Sequence, residues 1–414
     1  MTSDQLSSPE TDALGPLTGS PTDPPTDPPT DPPTDPPTNH GDVVGVDARA
    51  VLSGPGAIVV KVGSSTLTAE GAGASIDALV DILMARAALG PGRQTVVVSS
   101  GAVAAGLAPL GLVRRPADVA GLQAAASAGQ PRIVARWAQS FERHGITVGQ
   151  VLFDLDDLVR REHYVNAQST LRRLIGLGAV PIVNENDAVA TDELRYGDND
   201  RLGAVVAHLA AARALVLLTD VDALYDRPPS RPGARRIRWV PDPWAVQADL
   251  GRPGSAVGTG GMRTKVLAAR LAAAAGVPTF VTAASAAGRA FAGDDVGTWF
   301  APSPSPAPAR LLWLAHVAAP RGELRLDAGA VRAVVERGAS LLPAGITGIV
   351  GSFAVGDVVD LTDPGGRAVA RGIVSYAAAE MPQLLGRSTG ELRESLGREF
   401  GREVVHRDDL VAIP

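Results

Sequence analysis

The sequence predicts an α/β protein: a three-layer αβα sandwich around a mostly parallel sheet, followed by a small β-rich domain. Three observations carry that expectation. Short, continuous, β-branched apolar runs recur between residues 57 and 283, and helix-length stretches alternate with them. Strands that are apolar throughout are buried on both faces, which a parallel sheet covered by crossover helices provides. Beyond residue 310 the runs shorten and only turns separate them, as in a compact β domain.

The elements follow in order. Residues 21–38 repeat Pro-Thr-Asp-Pro, and proline at this density blocks helix and sheet ladder alike. Such chain buries too little apolar surface to offset its ordering entropy, so residues 1–52 are expected to be a disordered tail outside the fold. Strands are expected at AIVVKVG (57–63), TVVVSSG (95–101), ITVGQVLF (146–153), AVPIVNEN (179–186), ALVLLTDVD (214–222) and PTFVTA (278–283). Helices are expected over 75–89, 119–143, 163–177, 200–212 and 264–275. Together they make a domain at 53–300. Residues 301–310, APSPSPAPAR, are a semi-rigid linker, and the β-rich domain takes 311–414. Ligands of parallel sheets sit at the carboxyl ends of the strands. Here those ends carry Gly63-Ser64-Ser65, Ser99-Ser100-Gly101, Asn184-Glu185-Asn186-Asp187 and Thr219-Asp220.

Composition excludes several chemistries. The chain of 414 residues has no cysteine, so disulfides, thiolate metal sites and a thiol nucleophile are out. Its six histidines form no HExxH or similar ligand spacing. The formal net charge of −6 is concentrated in residues 1–50, which carry −8, so the remainder is near neutral and projects no polyanion-binding field. The acidic N-terminus lacks the apolar run of a signal peptide, and the uncharged stretch 271–288 is broken by Gly276 and Pro278. A cytoplasmic location without a membrane span is expected.

The 38 basic side chains include only two lysines, Lys61 and Lys265. Arginine presents a wide planar fork, whereas lysine is a compact point charge on a slim stem that a tight phosphate cradle accepts. Both lysines lie beside glycines, in VVKVGSS and GTGGMRTK. In the second segment Gly258, Thr259, Gly260 and Gly261 precede a helix expected to begin near Met262. Backbone N–H groups there can approach an anion at the helix N-terminus, with Lys265 one turn in; the competing reading is a plain turn. Lys61 stands at a strand exit, placed to neutralise a transferring phosphoryl group. YGDNDRLGA offers Asp198, Asn199 and Asp200 ahead of a helix, as helix-capping chemistry or as carboxylates for Mg²⁺, an ammonium group or the lysines. NENDAV likewise places donors and carboxylates, or simply a hydrogen-bonded loop, at a strand end.

Taken in order, VVKVGSSTLT, VVSSGAVAAG, VPIVNENDAVAT, YGDNDRL, LLTDVDALY and GTGGMRTK resemble the amino acid kinase superfamily, and within it the glutamate 5-kinase (γ-glutamyl kinase) family. GASLLPAGI, ITGIVGSF and VHRDDLV resemble that family's appended PUA domain. The likeness spans residues 56–411 and leaves out the Pro-rich tail. It implies the amino acid kinase fold and an ATP-dependent transferase that phosphorylates the side-chain carboxylate of L-glutamate, the first step of proline biosynthesis. By the same resemblance Lys61 and Lys265 are phosphate-stabilising, and Asp200 organises them. Ser100, Asp187 and Asn199 bind glutamate, with Asn184 and Asp198 lining that pocket. Thr219, Asp220 and the loop Thr259, Gly260, Gly261, Met262, Arg263, Thr264 and Lys265 serve the nucleotide, as Lys61 also does. Mg²⁺ bridges the phosphates as a largely hydrated ion. A homo-oligomer, proline as feedback inhibitor and hand-over of product to the next enzyme are further implications. Arg263 within the glycine loop and the doubled serine at 99–100 depart from the family pattern without changing its geometry.

Two other readings compete. Another acid of the superfamily (aspartate, acetylglutamate, carbamate) or a nucleoside monophosphate could be the acceptor, although NENDAV and GDND favour glutamate. An RNA-binding protein is the alternative from a different class, because PUA-like domains contact RNA. Residues 311–414 hold 11 arginines against 13 acidic residues, which is no basic footprint.

Overall fold

Period-two alternation along β1 (Ile58–Val62) decides which layer each of its side chains meets. Ile58, Val60 and Val62 enter one hydrophobic cluster. Val59 enters the other, and Lys61 shares its face. The structure, a computed structural model, describes residues 48–64, 75–154, 161–188, 198–246, 261–304, 314, 320–397 and 400–413. β2 (Thr95–Ser99) and β5 (Ala214–Thr219) flank β1 in parallel, with Lys61 opposite Val98 and Leu217. β3 (Val148–Phe153), β4 (Val180–Glu185), β6 (Leu224–Tyr225), β7 (Arg236–Ile237), β8 (Trp239–Val240), β9 (Thr279–Ala283) and β10 (Thr298–Phe300) complete the strands of this part. The large sheet runs β3-β4-β2-β1-β5-β9-β10-β8, and β6 pairs with β7 in a separate hairpin.

The six expected strands are β1 to β5 and β9, all mutually parallel. β10 departs by pairing antiparallel to β9, so the sheet is mostly rather than wholly parallel. Helices cover both faces. Against the Ile58/Val60/Val62 face pack α1 (Ala48–Ser53), α2 (Ile76–Ala88), α4 (Val119–Glu142) and α8 (Ala287–Ala292). Against the Val59/Lys61 face pack α5 (Arg161–Gly176), α6 (Asp198–Leu209) and α7 (Met262–Ala274). A short α3 (Ala102–Leu107), which the sequence does not announce, follows β2 directly. No described helix is long and apolar enough to cross a membrane.

The tail boundary expected at residue 52 falls inside α1. Leu52 is fully buried, and two arginines hold the surrounding segment by its backbone carbonyls. Arg86 donates to the carbonyls of Leu52, Gly54, Gly56 and Gln94, while Arg213 reaches those of Ala50, Val51 and Pro55. Burial, and then the neighbouring Arg93 and Arg213, lower the Arg86 guanidinium to about 10. The fork of five donors suits this work, which a lysine could not do. The Pro-Thr-Asp repeat ends at residue 38 and α1 begins at Ala48, so composition alone puts the boundary too far along the chain.

The C-terminal part is the β-rich domain expected. β11 (Gly322–Leu326) lies between β12 (Ile346–Gly351) and β13 (Val358–Thr362), followed by β14 (Ala368–Ile373) and β15 (Leu410–Ala412). α9 (Ala328–Val331) and α10 (Thr389–Ser395) accompany them, the second closed by a capping box between Ser388 and Glu391. Its own core includes Leu324, Val359, Leu361, Tyr376 and Met381. Val358 joins the cluster of the Val59/Lys61 face instead, with Ile373 and Val411 packed against it. Of the expected linker, only residues 301–304 are described.

Candidate active site

Lys61 belongs to the strand face that α6 covers, and α6 can come close because its second turn offers a glycine. A Cβ at Gly203 would lie 3.5 Å from Lys61 Cβ. The first turn of α6 therefore sits over the end of β1 and brings Asp200 onto Lys61. Nζ of Lys61 is 2.8 Å from Asp200 Oδ1. Lys265, from the first turn of α7, approaches the other oxygen, Oδ2, at 3.3 Å. Lys61, Asp200 and Lys265 are 8%, 1% and 3% exposed, so both lysines of the chain converge on one carboxylate in a nearly dry setting.

Burial alone would raise the Asp200 carboxyl. The Lys61 and Lys265 ammonium groups, with hydrogen bonds from Lys61 and Thr264, outweigh it and hold the group at about 2. Burial lowers Lys265 below the usual lysine range against the opposing pull of Asp200. Two cations facing one anion leave a positive surplus, the charge a phosphoryl group requires. The capping reading of Asp200 is corrected here. α6 begins at Asp198, so Asp200 is already within its first turn and its side chain is spent on the lysines.

Asn199, one residue earlier, turns to a different set of partners. Its Nδ2 donates to Ser100 Oγ at 3.0 Å and to Asn184 Oδ1 at 3.1 Å. Asn184 Nδ2 in turn donates to Gln130 Oε1 at 2.7 Å. The strand ends of β2 and β4, the start of α6 and the middle of α4 are thus joined by one row of amides and a hydroxyl. Gln130 Nε2 and Asn199 Oδ1 are buried and make no hydrogen bond among the described residues. The row keeps one donor and one acceptor for something else, a complement suited to a zwitterion. Asp187 lies in the turn after β4, half-buried. Asp198 opens α6, and its side chain lies outside the described residues.

At the neighbouring strand end, Thr219 closes β5 buried, and its hydroxyl donates to Asp220 Oδ1 at 2.9 Å. Asp220 is exposed and close enough to Lys265 to raise its affinity for a proton. Gly261 precedes α7, Met262 is half-buried and Arg263 is exposed. Thr264 Oγ1 lies 2.7 Å from Asp200 Oδ2 and 2.8 Å from the Gly261 carbonyl. Thr259 and Gly260 lie outside the described residues, as do Ser65 and Thr66.

Sequence reading missed Gln130 and Trp137. Trp137 Nε1 donates to Ser99 Oγ at 2.9 Å and so anchors α4 to the end of β2. A signal was present in Gly129-Gln130-Pro131, an amide beside two helix breakers inside an otherwise small and apolar helix. The helices α3 and α4 cross where a Cβ on Gly106 would meet Ala125 O at 1.8 Å, and one on Gly129 would meet Ala102 O at 1.8 Å. That close crossing sets the height of Gln130 above Asn184.

The profile of the amino acid kinase family matches residues 56–283, and that of the PUA domain matches 322–396. The chain is 58% identical to a glutamate 5-kinase of Streptomyces avermitilis over 361 residues, covering 86% of this chain and 96% of the relative. A glutamate 5-kinase of Streptomyces coelicolor matches with the same identity and coverage. A carbamate kinase from Giardia lamblia superposes on 61% of this chain and 100% of its own, at 18% identity and a TM-score of 0.42, too loosely to carry an argument. The chain belongs to the amino acid kinase family, on its glutamate 5-kinase branch, with a PUA domain behind the kinase domain.

Proposed function

We propose that the chain transfers the γ-phosphoryl group of ATP to the side-chain carboxylate of L-glutamate, forming L-glutamyl 5-phosphate and ADP in the opening step of proline biosynthesis. The convergence of Lys61 and Lys265 on Asp200, beside the amide row that begins at the adjacent Asn199, carries this reading. The two halves of the reaction meet at consecutive residues of one helical turn. Ser100, Asn199, Asn184 and Gln130 orient the amino acid, Asp187 takes its ammonium group, and Asp198 lines the pocket. An ionised carboxylate needs no strong base to attack, and the site supplies charge and alignment instead. Lys61 and Lys265 neutralise the equatorial oxygens while Asp200 keeps the lysines in place. Thr219, Asp220 and residues 259–265 hold the nucleotide. ATP would bring Mg²⁺ as the counter-ion of its phosphates, and the ion would supply charge neutralisation there.

In this reading the kinase domain starts with α1 and runs to residue 300, 301–310 form the linker and 311–414 the PUA domain. Proline inhibition, a homo-oligomer and product hand-over are carried with it from the family resemblance. The test is a hydroxylamine-trapped hydroxamate assay with Mg²⁺ and ATP across glutamate, aspartate, acetylglutamate and carbamate, with and without proline. Hydroxamate from glutamate is expected; turnover only with a different acid would sink the assignment.

A further inference from the structure

We propose that the Thr264 hydroxyl is a positioning group that sets how tightly Asp200 holds Lys265, tying the phosphate-side helix α7 to the carboxylate of α6. The idea rests on the phosphoryl-transfer reading above and adds a role to a residue that the resemblance gave only to the nucleotide. Thr264 Oγ1 lies 2.7 Å from Asp200 Oδ2 and 2.8 Å from the Gly261 carbonyl. Both neighbours are acceptors, and the hydroxyl has a single proton. The Gly261 carbonyl already accepts the Thr264 amide at 3.2 Å. An ionised carboxylate is the stronger acceptor, so the hydroxyl proton goes to Asp200.

This makes the two ends of the carboxylate unequal. Oδ1 faces Lys61 at 2.8 Å, whereas Oδ2 is shared between the hydroxyl at 2.7 Å and Lys265 at 3.3 Å. The hydroxyl occupies the close position on Oδ2 and leaves the Lys265 ammonium the longer one. The hydroxyl thereby sets the strength of the Asp200–Lys265 contact, and with it the charge that Lys265 offers the transferring phosphoryl group. In this role the Thr264 side chain acts through Asp200, and the share of residue 264 in holding the nucleotide falls to its backbone.

The two lysines make a direct measurement practical, because protein labelled with ¹⁵N-lysine has only two side-chain Nζ signals to assign. In Thr264→Val the Lys265 signal should move while that of Lys61 stays, and Thr264→Ser should restore it. With glutamate and ATP, Thr264→Val should lower kcat about tenfold to a hundredfold, the loss of one charge-assisted hydrogen bond, with KM for ATP changed by less than about threefold. Thr264→Ser should recover most of that kcat. Wild-type Nζ signals and kcat in Thr264→Val would overturn the proposal. So would a kcat loss that Thr264→Ser fails to rescue, or one expressed in KM for ATP alone. Should wild-type protein make no glutamyl phosphate, the activity assignment falls, and the Nζ signals, which need no substrate, still decide the role of Thr264.

Discussion

Lys61 and Lys265 reach Asp200 from a strand and a helix, and each fills a space that its slim stem permits. Against Lys61 that space is bounded by the backbone of Gly203. Lys61→Arg and Lys265→Arg should each lower kcat at least about a hundredfold with the fold retained, measured by hydroxamate formation and thermal melting. Near-normal kcat in either variant would refute the steric argument for that lysine. Asp200 also links stability to pH. Its folded value of about 2 lies below the ordinary 3.8, so its contribution is fully present above pH 4 and is lost as pH falls towards 2. That contribution is roughly 2 kcal/mol. Urea titrations between pH 4 and 2 should show a shallower decline in Asp200→Asn than in wild type; parallel curves would contradict the depressed value. At this scale the sequence was partly legible. Two lysines stand out against a background of arginines, whereas Gln130, set apart only by its neighbours Gly129 and Pro131, shows its role once Asn184 is seen beside it.

At the scale of elements, the amide row depends on how α3 and α4 cross. β2 ends at Ser99, and Gly101 takes a left-handed φ of 95° to turn the chain at once into α3. α4 then lies against α3 at Gly106 and Gly129, with Trp137 fixing its register on Ser99. Gly129→Ala should push the helices apart, destabilising the protein by about 1–3 kcal/mol in urea denaturation. KM for glutamate should rise more than KM for ATP, because Gln130 moves and the lysine pair does not. Equal changes in both would mean that the crossing does not set the amide row. The long strands and helices were readable because apolar runs and their spacing are local properties. α3 was not, since AVAAGL is too short and too uniformly small to show a period. The pairing of β8 and β10 at the sheet edge, which brings distant residues together, was equally invisible.

For the whole molecule, the β-rich part and the kinase part share apolar surface through Val358, Ile373 and Val411. Deleting residues 311–414 should therefore lower Tm by at least about 5 °C while hydroxamate formation stays measurable. Complete loss of turnover in a truncated protein that keeps its kinase fold would show the β-rich part to be required for transfer. By itself the sequence determined the α/β class, the order of the main strands, the β-rich second part and the segments that carry chemistry, because these follow from periodicity and residue type along a short stretch of chain. Only the tertiary structure decided that Asp200 is spent on two lysines rather than on a helix cap, and that Gln130 completes the row running to Ser100. It also showed that a threonine hydroxyl shares the carboxylate with Lys265. The reason is physical: a side chain's partner depends on which strand face it occupies and on how closely a helix can approach. That approach is decided at crossings between residues far apart in the chain, such as Gly203 over Lys61 and Gly129 against Ala102.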